Sequence, residues 1–82
     1  MGTETKVRCL ELVTNTKVPH DEAMAEGRKA ISEDLEDLGG ILVGEIRDLS
    51  PRVRGTVRVN GEDVSLSDND LTLWTFEYDV VL

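Results

Sequence analysis

The sequence is poor in cysteine, proline and aromatic residues. Among its 82 residues there are one cysteine, Cys9, two prolines and one each of Trp, Tyr and Phe. A lone cysteine excludes an intrachain disulfide and a zinc site built from several thiolates, which favours a reducing compartment. No apolar run reaches the roughly 18 residues that span a membrane, and the polar start of the chain does not have the pattern of a secretion signal. We therefore expect a cytoplasmic protein with no membrane partner, metal or cofactor.

Positive charge is also scarce. The chain has 9 Lys and Arg against 17 Asp and Glu, a net charge of −8. Such an acidic surface repels free nucleic acid at long range. It suits a high-salt cytoplasm, where ions at about 1 M screen charges beyond about 3 Å. In its length and acidity the chain resembles the short acidic proteins of salt-loving archaea.

Length and composition predict a single domain over residues 1–82. Hydrophobic residues make up 39% and charged residues 32%, which is typical of globular rather than disordered chains. A chain of this length supports only one hydrophobic core. The patterns along it read as one strand, one helix and four further strands. We expect an α+β fold in which a mixed, mainly antiparallel sheet of about five strands carries one helix on one face.

The predicted helix covers residues 21–38. Its apolar positions recur at spacings of three and four. They are Met24, Gly27, Ile31, Leu35 and Leu38. Pro19 precedes the helix and Gly39-Gly40 follows it, which are the usual start and stop signals. Because a glycine inside a helix costs about 1 kcal/mol relative to alanine, Gly27 indicates that the helix backbone closely approaches another element, most naturally the sheet.

Strands are predicted at residues 6–13, at 41–49, on both sides of Asn60-Gly61 within 52–66, and at 71–82. Asn60-Gly61 favours a type I′ hairpin turn, which needs positive φ at both central residues. That turn would place Val57 opposite Val64, Thr56 opposite Ser65 and Arg58 opposite Asp63. If the helix makes a right-handed crossover, the first two strands run parallel and the rest form an antiparallel meander.

The last strand carries every aromatic residue of the chain on one face. Strict alternation separates it into two apolar sets. They are Trp74, Phe76 and Tyr78 on one face and Leu71, Leu73 and Val81 on the other. One helix covers about half of one face of such a sheet, so apolar surface is left for a partner. We expect one set to form the core and the other a protein interface, with a second copy of the chain as partner.

Four of the nine cations lie between residues 47 and 58, namely Arg47, Arg52, Arg54 and Arg58. Two interpretations are open. The guanidinium groups could bind phosphate or a partner's carboxylates, as in a nucleoprotein- or RNA-associated domain. Alternatively, they pair across the sheet with Asp63 and with Glu77 or Asp79.

No catalytic constellation is evident. His20 is the only histidine, and the acids that follow it at a helix start point in different directions, which argues against a metal site. The remaining catalytic alternative is an enzyme site built across a dimer interface with His20 as general base. Phosphate-binding glycine loops, serine nucleophile motifs and paired catalytic carboxylates are missing from the sequence. We predict a non-enzymatic protein-interaction module that acts as a homodimer or accessory subunit, with no small-molecule substrate identified.

One resemblance extends over most of the chain. The order of Val18-Pro19, an acidic helix, the segment 40–46 and the closing segment 74–82 is similar to the N-terminal tip domain of the archaeal RNA polymerase stalk subunit. That domain has a Gly-Asp-Gly turn before its last strand, and this sequence does not. No residue role therefore follows from the resemblance.

Overall fold

The elements follow the predicted order in a computed structural model that describes residues 4–82. They are β1 (Thr5–Asn15), α1 (His20–Leu38), β2 (Ile41–Arg52), β3 (Thr56–Val59), β4 (Glu62–Ser65), a 3₁₀ turn (Ser67–Asn69) and β5 (Leu71–Val81). The predicted α+β class, with one helix on a sheet and the order β-α-β-β-β-β, is confirmed.

The last strand is the centre of the main sheet. β5 pairs antiparallel with β1 on one side and with β2 on the other. β1 and β2 run in the same direction, as expected from the crossover, but β5 lies between them, so the described strands form no parallel pair. β3 and β4 form a separate two-stranded hairpin, so the five strands do not make the single mixed sheet or the antiparallel meander that the sequence predicted. The most apolar strand takes the centre because there both of its edges are paired and its helix-facing side chains are best covered.

The hairpin has the predicted turn and register. Asn60 and Gly61 both have positive φ, 52° and 83°, as a type I′ turn requires. Thr56 pairs with Ser65, Val57 with Val64 and Arg58 with Asp63. A two-residue turn with these dihedrals matches the twist of the flanking strands, and this local match made the register predictable.

The core lies between α1 and the aromatic face of β5. Trp74, Phe76, Tyr78 and Val80 are all buried there. From the helix, Ala23, Gly27 and Ile31 face them, and Met24 and Leu35 are half-buried at the margin. The helix begins one residue before the predicted start and ends at the predicted Leu38, and it is capped by Gly39, whose φ is 70°. Leu38 is 39% exposed, so the buried stripe ends at Leu35.

The expected close approach at Gly27 is present. A Cβ atom at this position would lie 2.5 Å from Cε2 of Phe76, well inside van der Waals contact. The helix packs mainly against β1 and β5 rather than β2. The chain is elongated, with a radius of gyration of 14.2 Å against about 11.7 Å for a compact domain of this length.

Replacing Gly27 by alanine should destabilise the protein, although alanine is the better helix former. Overpacking a core costs about 1–3 kcal/mol, and the gain in helix propensity is about 1 kcal/mol. We expect a net loss of about 1 kcal/mol in the free energy of urea unfolding. A double-mutant cycle with Phe76→Leu tests the cause, because a smaller side chain at position 76 should reduce the cost of the methyl group added by Gly27→Ala. Equal costs in both backgrounds would contradict the assigned contact.

Candidate functional site

The predicted interface residues of β5 fall into three environments. Trp74, Phe76 and Tyr78 are 6%, 1% and 1% exposed and belong to the core, so of the two faces that the sequence left open, the aromatic one packs under the helix. Leu73 is 5% exposed on the opposite face. Leu71 is half-buried, and Val81 is half-buried at the other end of that face. A role for these residues in protein binding stays a prediction.

The face of the main sheet away from α1 is covered at one end only. There the hairpin approaches the sheet, and a shallow cavity of about 420 Å³ is lined by Val13 and Leu73 from the sheet and by Thr56 and Val57 from β3. The other end carries a group of apolar side chains that we call the open-face patch. It consists of Val7, Ile41, Val43 and Val81.

The open-face patch extends over three strands, with the Asp79 side chain between Val7 and Val43. Ile41 and Val81 are register partners, and Val7 and Val43 both lie opposite Asp79. Ile41 is 70% exposed, Val7 62% and Val43 41%. Contiguous exposed apolar side chains on a soluble domain mark an interaction surface more often than scattered ones do.

Beside the patch, Arg47 binds two acidic residues of β5. Its Nε donates to Oε1 of Glu77 at 2.8 Å, and its two terminal nitrogens donate to the two oxygens of Asp79 at 3.0 and 2.9 Å. These bonds lower the pKa of the Asp79 carboxyl and raise that of the guanidinium. The bidentate contact fixes Arg47 against the sheet.

The other three arginines of the predicted cluster lie on different elements. Arg52 ends β2 and donates to the carbonyl of Thr56 at 3.2 Å, and Arg58 in β3 lies 3.7 Å from Asp63. Arg54 lies in the connection between these strands, so the three arginines do not lie on one strand. Arg47 and Arg58 thus pair with acidic residues of neighbouring strands, as in the second interpretation of the sequence. Binding of phosphate by this group stays a prediction.

His20 has a partner that the sequence did not reveal. Its Nε2 forms a hydrogen bond with Asp48 of β2, which is 28 residues away. The ring also lies near Trp74, with centroids 5.9 Å apart and planes inclined by 53°. The hydrogen bond to Asp48 raises the pKa of His20, and the charge of Asp21 adds to this effect. The pair connects the start of α1 to the edge strand β2.

A second polar cluster joins the other half of α1 to the sheet. Arg8 donates to both oxygens of Asp34, at 3.0 and 3.3 Å, and the hydroxyl of Tyr78 donates to Asp34 at 2.8 Å. The hydrogen bond from Tyr78, followed by the contact with Arg8, lowers the pKa of Asp34. Burial, followed by the bond to Asp34, raises the pKa of Tyr78. The cluster holds the helix in place.

The sequence contained one signal for the bulge in β2. Gly44 lies inside the strand predicted at residues 41–49, and an isolated glycine in a strand often marks a β-bulge. The structure has a bulge there, with φ of 73° at Gly44. By contrast, the contact between His20 and Asp48 joins distant segments, and no local pattern points to it.

The described part of the chain, residues 4–82, contains no group of three or more His, Cys, Asp or Glu that could hold a metal ion. Nor does any helix within it combine the length and apolar character needed to cross a membrane. Comparisons of the chain with family models, with curated proteins and with solved structures gave no significant match. The resemblances to haloarchaeal proteins and to the polymerase stalk domain thus remain predictions.

The pairing of His20 with Asp48 predicts a pH-dependent contribution to stability. Because the folded-state pKa of His20 is raised, the folded protein binds this proton more tightly than the unfolded chain does. The stabilisation is complete below the unfolded pKa of about 6.5 and is lost as pH rises through the folded pKa. The difference in melting temperature between the parent and Asp48→Asn should therefore be larger at about pH 5.5 than at about pH 8.5.

The single histidine makes a direct check possible, since its ring proton signals in an NMR titration need no assignment. The midpoint should lie above that of a model peptide and fall in Asp48→Asn. Asp21→Asn is the matched control, because Asp21 is fully exposed and lies 3.8 Å from the other ring nitrogen. A midpoint that Asp21→Asn lowers as much as Asp48→Asn does would contradict the assignment.

Proposed function

We propose that this protein is a non-enzymatic interaction module that forms a homodimer in a high-salt cytoplasm. The observation that carries this proposal is the open-face patch, where Val7, Ile41 and Val43 remain 41–70% exposed. The helix covers the opposite face of the sheet, and the hairpin reaches only the Leu73 end of this one. Nothing in residues 4–82 covers the patch, so a second chain is the natural cover.

The amount of surface supports a partner of ordinary interface size. The accessible surface of the chain is 5788 Å², whereas a compact monomer of 9.1 kDa would expose about 4,900 Å². The difference of roughly 900 Å² belongs to the whole elongated chain, and it is of the same order as the 800 Å² that each partner buries in a standard interface. Burial of apolar area contributes about 25 cal/mol per Å², so a modest patch suffices for reversible association.

A second copy of the chain fits the shape and charge of this face. A twofold contact requires a self-complementary surface, and a sheet face with apolar side chains of similar size meets that requirement. Arg47 is already balanced by Glu77 and Asp79, so the cluster beside the patch has a net charge of about −1. Two such clusters repel each other weakly, and salt screens that repulsion. The dimer should therefore be stronger at high salt.

Replacing Val43 by lysine should yield a folded monomer. The lysine can pair with Asp79 across the strands, so the sheet should tolerate it, while the added charge would be buried in the dimer. We expect the dimer dissociation constant to rise at least about tenfold. Sedimentation equilibrium in about 0.1 M and about 2 M KCl measures it, and the melting temperature of the dilute protein reports folding.

The matched control is Val53→Lys, which makes the same charge change at a side chain that is 50% exposed and lies outside the patch. It should leave the dissociation constant unchanged. A parent that sediments as a monomer at every concentration and in both salts would overturn the homodimer. Equal weakening by both lysine variants would show that net charge, rather than the patch, controls association.

Stability should increase with potassium chloride. Glu33, Glu36 and Asp37 are exposed near the C-terminal end of α1, where the helix dipole is negative, and no basic residue lies in the last turn. Each charge is unfavourable there by roughly 0.3 kcal/mol at low salt. Screening all three should raise the melting temperature by about 4–8 °C between about 0.1 M and about 2 M KCl.

A variant that neutralises these three residues, with Glu→Gln at 33 and 36 and Asp→Asn at 37, is the control. It should melt higher than the parent at low salt and gain less from added salt. A parent whose melting temperature is unchanged or lower at high potassium would contradict the high-salt proposal.

A further inference from the structure

On the helix side of the sheet, α1 leaves a groove next to β2. The helix packs over β1 and β5, so the side chains that β2 directs toward it are only partly covered. The groove has a volume of about 550 Å³. Its apolar walls are formed by Ile31 and Leu35 of the helix and by Leu42 and Ile46 of β2. This volume lies within the range of small-molecule sites.

A β-bulge forms the β2 wall of the groove. Val43 pairs with Asp79 and Arg47 with Glu77, so three residues of β2, 44–46, lie opposite the single residue Tyr78. Gly44 has φ of 73° and a Cβ built on it would meet nothing within 4 Å, so the backbone conformation rather than crowding favours glycine here. Because a bulge breaks the regular ladder, the edge beside the groove is poorly suited to pairing with an added strand. The groove therefore favours a small molecule over an extended peptide.

One cation lies at the mouth of the groove without an acidic partner. Arg28 lines the groove, and within residues 4–82 no carboxylate pairs with it, whereas Arg8, Arg47 and Arg58 all have such partners. Helix neighbours three and four residues away interact most strongly. For Arg28 they are Met24, Ala25, Ile31 and Ser32, none of them acidic.

The charged and polar side chains at the mouth of the groove indicate where the anionic group of a ligand would lie. Ser32 lies one helical turn beyond Arg28 and adds a hydroxyl donor on the same wall. Glu45 lies on the opposite wall and belongs to the bulge. An anionic group at the Arg28 and Ser32 wall, with an apolar chain along the floor, would satisfy both the guanidinium and the apolar surface.

We propose that the groove between α1 and β2 binds a small amphipathic anion, an acyl chain that ends in a carboxylate. This site goes beyond the proposed homodimer, because it lies on the opposite face of the sheet from the open-face patch. Arg28 and Ser32 bind the carboxylate, and Ile31, Leu35, Leu42 and Ile46 contact the chain. Glu45 opposes the anionic group and limits its affinity.

Titration of ¹⁵N-labelled protein with decanoate, below the concentration at which it forms micelles, tests the proposal. The amide signals of Ser32, Gly44 and Ile46 should shift in a saturable manner. Nonanol and nonyltrimethylammonium have the same nonyl chain as decanoate with a neutral or cationic head, and both should bind several-fold more weakly. Val43→Lys should bind decanoate like the parent, so failure of the dimer and failure of this site are distinguishable.

Three substitutions separate the contributions of charge. Arg28→Gln should weaken decanoate binding about tenfold, the effect of losing one charge-assisted hydrogen bond. Lys29→Gln makes the same charge change at the adjacent residue, which does not line the groove, and should have no effect. Glu45→Gln should strengthen binding about two- to threefold, because it removes the opposing charge.

Several results would overturn the proposal. Equal binding of all three compounds would show an unselective apolar surface. Equal weakening by Arg28→Gln and Lys29→Gln would show an effect of net charge alone. Amide shifts confined to Val7, Ile41 and Val43 would place the probe on the open-face patch, and shifts of groove residues on dilution alone would identify a second copy as the occupant.

Discussion

The contact between Gly27 and Phe76 determines where the only α-helix of the described residues lies. With no side chain at position 27, the helix backbone reaches the ring of the central strand, and a Cβ there would come within 2.5 Å of it. A helix seated on β5 at this distance also covers β1, to which Arg8 and Asp34 tie it. It covers β2 only in part, because packed helices are about 10 Å wide and three strands span more than that. The partial exposure of Leu42 and Ile46 in β2 follows from this one contact.

β2 consequently serves two different surfaces. Its first residues, Ile41 and Val43, face away from the helix and remain exposed, and Leu42 faces the groove. The bulge at Gly44 then turns Ile46 toward the groove, while Arg47 returns to the open face to meet Glu77. Edge strands are usually protected by charges, prolines or bulges. Here the bulge and Pro51 protect the middle and end of the strand, and its apolar start lacks such protection.

Local patterns predicted the elements, and long-range contacts decided the sheet. The spacing of Gly27 and Ile31, the Gly39 end signal and the Asn60-Gly61 turn each reflect the conformation of a few neighbouring residues, and each was predictable. The position of β5 between β1 and β2 was not, because strand order depends on which strand gains most from burial. The bond between His20 and Asp48 was also unpredictable, because it joins residues 28 apart that only the tertiary fold brings together. From the sequence, either face of β5 could have packed under the helix. The aromatic face does so because the helix lies on that side of the sheet.

Three consecutive residues of β5 hold both edge strands in register. Glu77 and Asp79 point to the open face and bind Arg47 of β2, while Tyr78 points to the helix face and shares Asp34 with Arg8 of β1. In each case an arginine from an edge strand lies opposite the residue it helps to anchor, since Arg47 pairs in register with Glu77 and Arg8 with Tyr78.

Isolated exposed ion pairs contribute little to stability and weaken in salt. The pairs of Arg8 with Asp34 and of Arg47 with Asp79 are bidentate, so fixed geometry as well as charge attraction holds them. An acidic chain in concentrated salt can therefore keep its strand register with few cations, provided that each is placed beside two acceptors. Arg47 is the first residue after the bulge, so its bonds to Glu77 and Asp79 also hold the bulge in place. The bulge lies between the open-face patch and the groove, and its position sets the geometry of both surfaces.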